Sequence, residues 1–191
     1  MTEAHLFLYH FLSRVTEDAY DRIYREDESA FTGAVIGEIN GIIRDMGYVP
    51  QNEYFRIDAV GWVSRWQEIA AEAASVGLRP HLWDLQIAVE HENDRTDWTD
   101  ELIKLMHIRC PLKVIIGYNH CDCREAPETE KLAAAARWMQ RIRALPQEDE
   151  EYLILLGNCA AKYDRTIRYT SFGYRGYLYH HRDRMFRRCM E

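Results

Sequence analysis

Two short apolar runs, Leu112–Tyr118 and Tyr152–Leu156, are separated by the Ala-rich amphipathic segment Glu128–Leu145, and this order constrains the fold more than any other feature. Each run is about one strand long and has no polar face, so it belongs inside a sheet covered on both sides. Parallel neighbours need a crossover, usually a helix, and Glu128–Leu145 supplies one. Trp98–Ile108, ahead of the first run, is a second such segment; Asp97 precedes it and acidic residues fill its first turn, where they oppose the positive helix end. Upstream, Leu82–Glu92 alternates, with Ile87, Val89 and His91 on one face and Gln86, Ala88, Glu90 and Glu92 on the other. The expected class is α/β, a mixed central sheet flanked by helices.

The rest of the chain adds helices and one more strand. Thr2 precedes a helical pattern over Ala4–Tyr24, and Ser29 is placed to cap a second helix whose apolar stripe is Val35, Ile39, Ile42, Ile43 and Met46, with Gly47 to end it. Tyr54–Val63 is aromatic and β-branched and reads as a strand; Ser64 then caps a short helix through Ala74. No linker or repeat interrupts the pattern. A single domain is expected, with N-terminal helices over 1–48, a core over 49–160 and a basic aromatic segment over 162–191.

Charge and cysteine content narrow the function classes. The formal charge of −7 argues against a protein that coats nucleic acid through its overall field. From Lys162 to Glu191, however, eight basic residues outnumber three acidic ones, which leaves −12 on the remainder. The run Leu6–Leu12 is broken by His10 and preceded by Glu3, too short for a membrane span and wrongly flanked for a signal peptide. Five cysteines, an odd number, make a disulfide framework unnecessary, so the expected compartment is a reducing cytoplasm. The glycine-rich phosphate-binding patterns and the Gly-x-Ser-x-Gly elbow are absent from the sequence.

Acidic residues inside strands carry the chemistry. Glu90 and Glu92 lie two apart on one strand and so project from one face, while Asp58 stands among apolar residues in Arg56-Ile57-Asp58-Ala59-Val60. A carboxylate in such surroundings is costly to desolvate unless it is paired or bound to a cation. If the two strands are neighbours, the three carboxylates converge, an arrangement suited to a hard divalent ion. The plainer reading of Glu-x-Glu is a solvated strand face, and an acidic helix residue such as Glu38 can border the core and reach water.

Asp58, Glu90-His91-Glu92, the helix with Trp98 and Glu101-Leu102-Ile103-Lys104-Leu105, and Lys113-Val114-Ile115-Ile116-Gly117-Tyr118 together resemble the core of the PD-(D/E)XK nuclease superfamily, the restriction endonuclease-like fold. The resemblance covers roughly Ala34–Tyr118. In that family an acidic residue on one strand and a (D/E)-x-K tripeptide on the next bind Mg²⁺ and activate water, with a Glu often added from a preceding helix. By this resemblance Asp58 is the first metal ligand, Glu90 the second and Glu38 the helix glutamate. Ile57, not proline, precedes Asp58, and Glu92 stands at the lysine position. Lys104 on the following helix is the first candidate to replace that lysine and Lys113 the second.

Two other features bear on function. His120-Cys121-Asp122-Cys123 follows a strand, but no second ligand pair completes a zinc site, so it reads as a polar loop. The C-terminal segment interleaves Tyr169, Phe172, Tyr174, Tyr177, Tyr179 and Phe186 with Arg175, Arg182, Arg184, Arg187 and Arg188. Arginines pair phosphates and rings stack on bases, which suits nucleic acid; a buried aromatic strand followed by a basic terminal helix suits the same pattern.

The expected function is that of a nuclease using Mg²⁺ or Mn²⁺ to hydrolyse nucleic acid, DNA in the first instance. Asp58 and Glu90 would hold metal, Glu92 or Lys104 would orient the attacking water, and Glu38 would support a second ion. The five arginines would bind the substrate, and a homodimer would suit cleavage of both duplex strands. The alternative is a catalytically inactive nuclease-like binding or regulatory module, since fold does not fix function; a third is an acidic interaction domain for a basic partner.

Overall fold

A computed structural model describes residues 2–15, 17–94, 96–120, 127–143, 146–159 and 172–189. Seven strands form one mixed sheet in sequence order: β1 (Val49–Tyr54), β2 (Ile57–Ser64), β3 (Trp83–His91), β4 (Leu112–His120), β5 (Glu151–Cys159), β6 (Arg175–His180) and β7 (Met185–Arg188). The three central strands β3, β4 and β5 run parallel, and the outer pairings are antiparallel. The apolar runs are therefore parallel neighbours, as their composition requires. Among the described residues no helix is long and apolar enough to cross a membrane.

Helices cover both faces. On one face α1 (Glu3–Arg14) and α3 (Glu28–Asp45) pack Phe7, Phe11, Val35, Ile39 and Ile43 against Ile87, Val89, Val114 and Leu153. The short α2 (Glu17–Glu26) joins them and α4 (Trp66–Ser75) links β2 to β3. The two crossover helices, α5 (Trp98–Met106) and α6 (Glu128–Met139), lie on the other face over Val60, Ala88, Ile115 and Ile154. Gly117 sets the seat of α5: a β-carbon there would fall 2.9 Å from Trp98 Cβ, so only glycine lets the helix approach this closely.

Several local expectations are corrected. The N-terminal helix is two helices, because α1 ends at Arg14 with Val15 as its cap. Asp27, not Ser29, caps α3, its carboxylate accepting from the N–H groups of Ser29 and Ala30. The strand expected over Tyr54–Val63 is the second half of a hairpin, β1 and β2, that turns at Phe55-Arg56; Pro50 is tolerated because β1 is a sheet edge. α6 stops at Met139 rather than at Leu145. The C-terminal segment ends in a β6–β7 hairpin, not a helix. Residues 121–126 and 160–171, including the Cys-Asp-Cys motif and Tyr169, lie outside the described residues.

Candidate active site

β2 and β3 pair with Ala59 opposite Val89 and Val60 opposite Ala88, and the same register sets Asp58 opposite Glu90. Cross-strand partners share a face, here the α5 face. Asp58 Oδ2 accepts the backbone N–H of His91 at 2.8 Å, which anchors that carboxylate to the next strand. The Asp58 and Glu90 carboxyl groups lie close enough for each to bear on the other's ionisation, and two carboxylates so placed do not readily both carry charge.

The proton belongs on Glu90. Glu90 is 1% exposed. Burial first, and then repulsion from Asp58 and Glu101, push its pKa up to about 8, against the lowering effect of Lys104. Burial also raises the Asp58 pKa, and the His91 N–H and Lys104 offset that rise only in part. Lys104, on the flank of α5 toward β2, closes the cluster. Its Nζ lies 2.7 Å from Glu90 Oε1, donates to the Arg56 carbonyl at 3.0 Å and contacts Glu101. The ammonium beside Glu90 Oε1 lowers that carboxyl's pKa without overcoming burial and the neighbouring carboxylates. Burial lowers the lysine's pKa, but Glu101 and Glu90 more than restore it, so the ammonium stays charged.

The residues singled out in the sequence thus separate. Asp58, Glu90 and Lys104 come together. Glu92 sits at the rim: its Oε1 accepts the Asp94 N–H at 2.7 Å, and burial, with Glu101, Asp97 and Asp94 nearby, raises its pKa against that bond. Glu38 does not join them. It accepts from Arg14 at 3.3 Å and Tyr20 at 3.1 Å among the helices of the opposite layer; the α3 residue that reaches the end of β3 is Thr32, bonded to Asn93 at 2.6 Å. Lys113 is fully buried at the start of β4, paired with Glu150 at 2.5 Å and Tyr152 at 3.0 Å, and is committed to the core. Glu101 is the site residue given no role in the sequence reading; its i, i+3 spacing from Lys104 put both on one helix flank and was the signal available.

The C-terminal arginines do not form one surface. Arg175 is tied to Glu128 at the start of α6, to Asn158 and to the Gly173 carbonyl, because that half-buried carboxylate needs a cation. Arg182 and Arg184 lie in the β6–β7 turn; since β6 runs antiparallel to β5, that turn is at the sheet end opposite Glu90. Arg187 pairs with Asp183, while Arg188 is exposed on the edge strand. Phe172, Tyr174, Tyr177 and Tyr179 are core residues, which removes them as base-stacking groups. His91, buried with Nε2 2.8 Å from the Tyr118 hydroxyl, is a core histidine; burial takes its pKa down to about 3.

Among the described residues no three His, Cys, Asp or Glu side chains are spaced as a ready-made metal cage. Asp58 and Glu90 nevertheless present oxygen only from neighbouring strands, and among the described residues the buried Glu90 Oε1 has no partner besides the Lys104 ammonium 2.7 Å away. Two carboxylates with several waters suffice for Mg²⁺, so the residues fit such an ion. No protein-family model, curated protein or solved structure matches the chain.

Proposed function

We propose that the chain is a metal-dependent phosphodiesterase of the restriction endonuclease-like kind, acting on nucleic acid at Asp58, Glu90 and Lys104. One observation carries the reading: carboxyl groups from two adjacent strands meet on one face, and a lysine from the crossover helix that follows reaches them. The order of helix α3, strand β2, strand β3 and helix α5 that underlies the resemblance is present.

Asp58 and Glu90 would hold the ion, which when bound supplies an acidified water and neutralises charge on the phosphate. Lys104 brings a positive charge to the spot where negative charge develops on the phosphoryl oxygens, and a preorganised cation stabilises that charge without reorganisation. Glu92, half-buried at the rim, stands at the position of the motif lysine and would orient the attacking water, a role that a lysine there also fills. Asp58 stays oriented through its bond to His91 N–H.

The inactive-module reading has its own support: Lys104 is already engaged by Glu90, Glu101 and the Arg56 carbonyl. Calorimetry with Mn²⁺ separates the two. A metal site built on Glu90 releases about one proton per ion bound near pH 7, because the metal must displace the proton that burial holds there. Absence of binding, or binding unchanged in Asp58→Asn, would refute the proposal.

A further inference from the structure

The β1–β2 turn is built from the wrong residues for its shape. Phe55 and Arg56 form a two-residue loop between the paired Tyr54 and Ile57, with φ of 49° and 62°. Positive φ at both positions is the type I′ turn, which Asn-Gly makes readily and residues with bulky β-carbons make under strain. Among the described residues the turn's one ring contact is that of Phe55 with Tyr54, and it leaves the side chain largely in solvent. Phe55 is 78% exposed, and the exposed Arg56 makes no ion pair among the described residues. Strained backbone carrying exposed side chains is a feature of functional elements.

The turn is also attached to the site. Its Arg56 carbonyl accepts from Lys104 at 3.0 Å, and Asp58 lies two residues on. Away from the site the rings continue in a row: Phe55 to Tyr54 at 4.6 Å, Tyr54 to Trp83 at 5.2 Å, and Trp83 to Trp62 at 6.3 Å. Arg65 neutralises Glu68 and Asp84 behind the row, while the exposed Glu53 remains beside the turn.

We infer that the Phe55-Arg56 turn and the aromatic row behind it bind unpaired nucleic acid, Phe55 stacking on a base and Arg56 pairing with the adjoining phosphate beside the candidate site. The inference rests on the proposed phosphodiesterase reading, and it deepens that reading by naming a single strand as substrate. Rings take the face of any base once it is unstacked, and a guanidinium matches a phosphate in a bidentate fork. In a duplex the base faces are already stacked and closed to the ring.

The decisive variant carries Phe55→Asn with Arg56→Gly, which supplies the residues a type I′ turn prefers. Binding is read by anisotropy of a labelled oligothymidylate and of a blunt duplex of equal length, in EDTA so that cleavage plays no part. The wild-type chain should prefer the single strand. The double variant should bind it roughly 10–100-fold more weakly while melting at a higher temperature. Phe55→Ala alone should lose part of the affinity. Affinity unchanged within about twofold in the double variant, or a wild type that prefers the duplex or binds neither, overturns the inference. The two failures are distinguishable: metal-dependent cleavage with unaltered binding by the variant removes the track and keeps the phosphodiesterase, whereas strong variant-sensitive binding without cleavage does the reverse.

Discussion

Lys104 on α5 sets its ammonium 2.7 Å from Glu90 Oε1 on β3, so the helix that carries the chain out of β3 returns a cation to the carboxyl group that strand has buried. The same ammonium touches Glu101 and the Arg56 carbonyl, and it joins β3, α5 and the β1–β2 turn. Lys104→Met should therefore lower stability by about 1–2 kcal/mol in urea unfolding at pH 7, since Glu101 loses its counter-ion and the Arg56 carbonyl its donor. An unchanged midpoint would mean that the lysine is an ordinary surface residue.

Glu90 makes stability depend on pH in an uncommon direction. Its folded pKa of about 8 lies above the ordinary 4.5, so between these values the folded chain holds a proton that the unfolded chain has released. Stability should fall as pH rises through that window, by on the order of 2–4 kcal/mol, and level off above it. Glu90→Gln should flatten this part of the profile. A wild-type profile already flat from pH 5 to 8 would show Glu90 to be ionised throughout.

The arginines should divide into structural and surface residues. Arg175→Ala strands Glu128 without its cation and should cost about 2–4 kcal/mol, with Glu128→Gln recovering part of the loss in the double variant. Changing Arg182, Arg184, Arg187 and Arg188 together to Ala should leave the melting transition nearly in place. If these four contact phosphates, the salt dependence of nucleic-acid binding becomes shallower. Affinity and salt slope both unchanged would leave the hairpin a structural or dimer-forming element.

Lys113 and Glu150 form a second buried pair, under the start of β4 and β5. Lys113→Met alone should destabilise by about 3–5 kcal/mol because Glu150 loses its partner, and adding Glu150→Gln should restore most of that. Equal losses in the single and double variants would show that burial of the lysine stem, rather than the pairing, matters.

The parts of the fold that could be read from the sequence are those with a period. The alternation of Leu82–Glu92 gave β3 and its faces: Val89 and Ala88 enter opposite cores. The break after Arg14 was hidden because Leu12, Val15 and Tyr20 keep an approximately helical spacing across it. The β1–β2 hairpin was hidden because Phe55-Arg56 carries no turn composition. That mismatch is the same one that points to its use. At the site, Asp58 and Glu90 were legible as carboxyl groups embedded in strands, and Lys104 as a residue within reach. Glu38 misled because its place in an apolar stripe also suits a partner for Arg14 and Tyr20. The arginine-aromatic pattern misled because Phe172 and Tyr174 pack into one core and Tyr177 and Tyr179 into the other, while Arg175 answers Glu128.

The central claim is tested most directly by cleavage of a labelled single strand in Mn²⁺, with wild type, Lys104→Met, Glu90→Gln and Glu92→Lys purified in parallel. Wild type should cleave only with metal. Lys104→Met and Glu90→Gln should fall by roughly 100-fold or more while keeping the wild-type fold by circular dichroism, and Glu92→Lys, which restores the lysine of the motif, should retain activity. Equal cleavage by wild type, Lys104→Met and Glu90→Gln would contradict the account and assign the activity to another protein in the preparation.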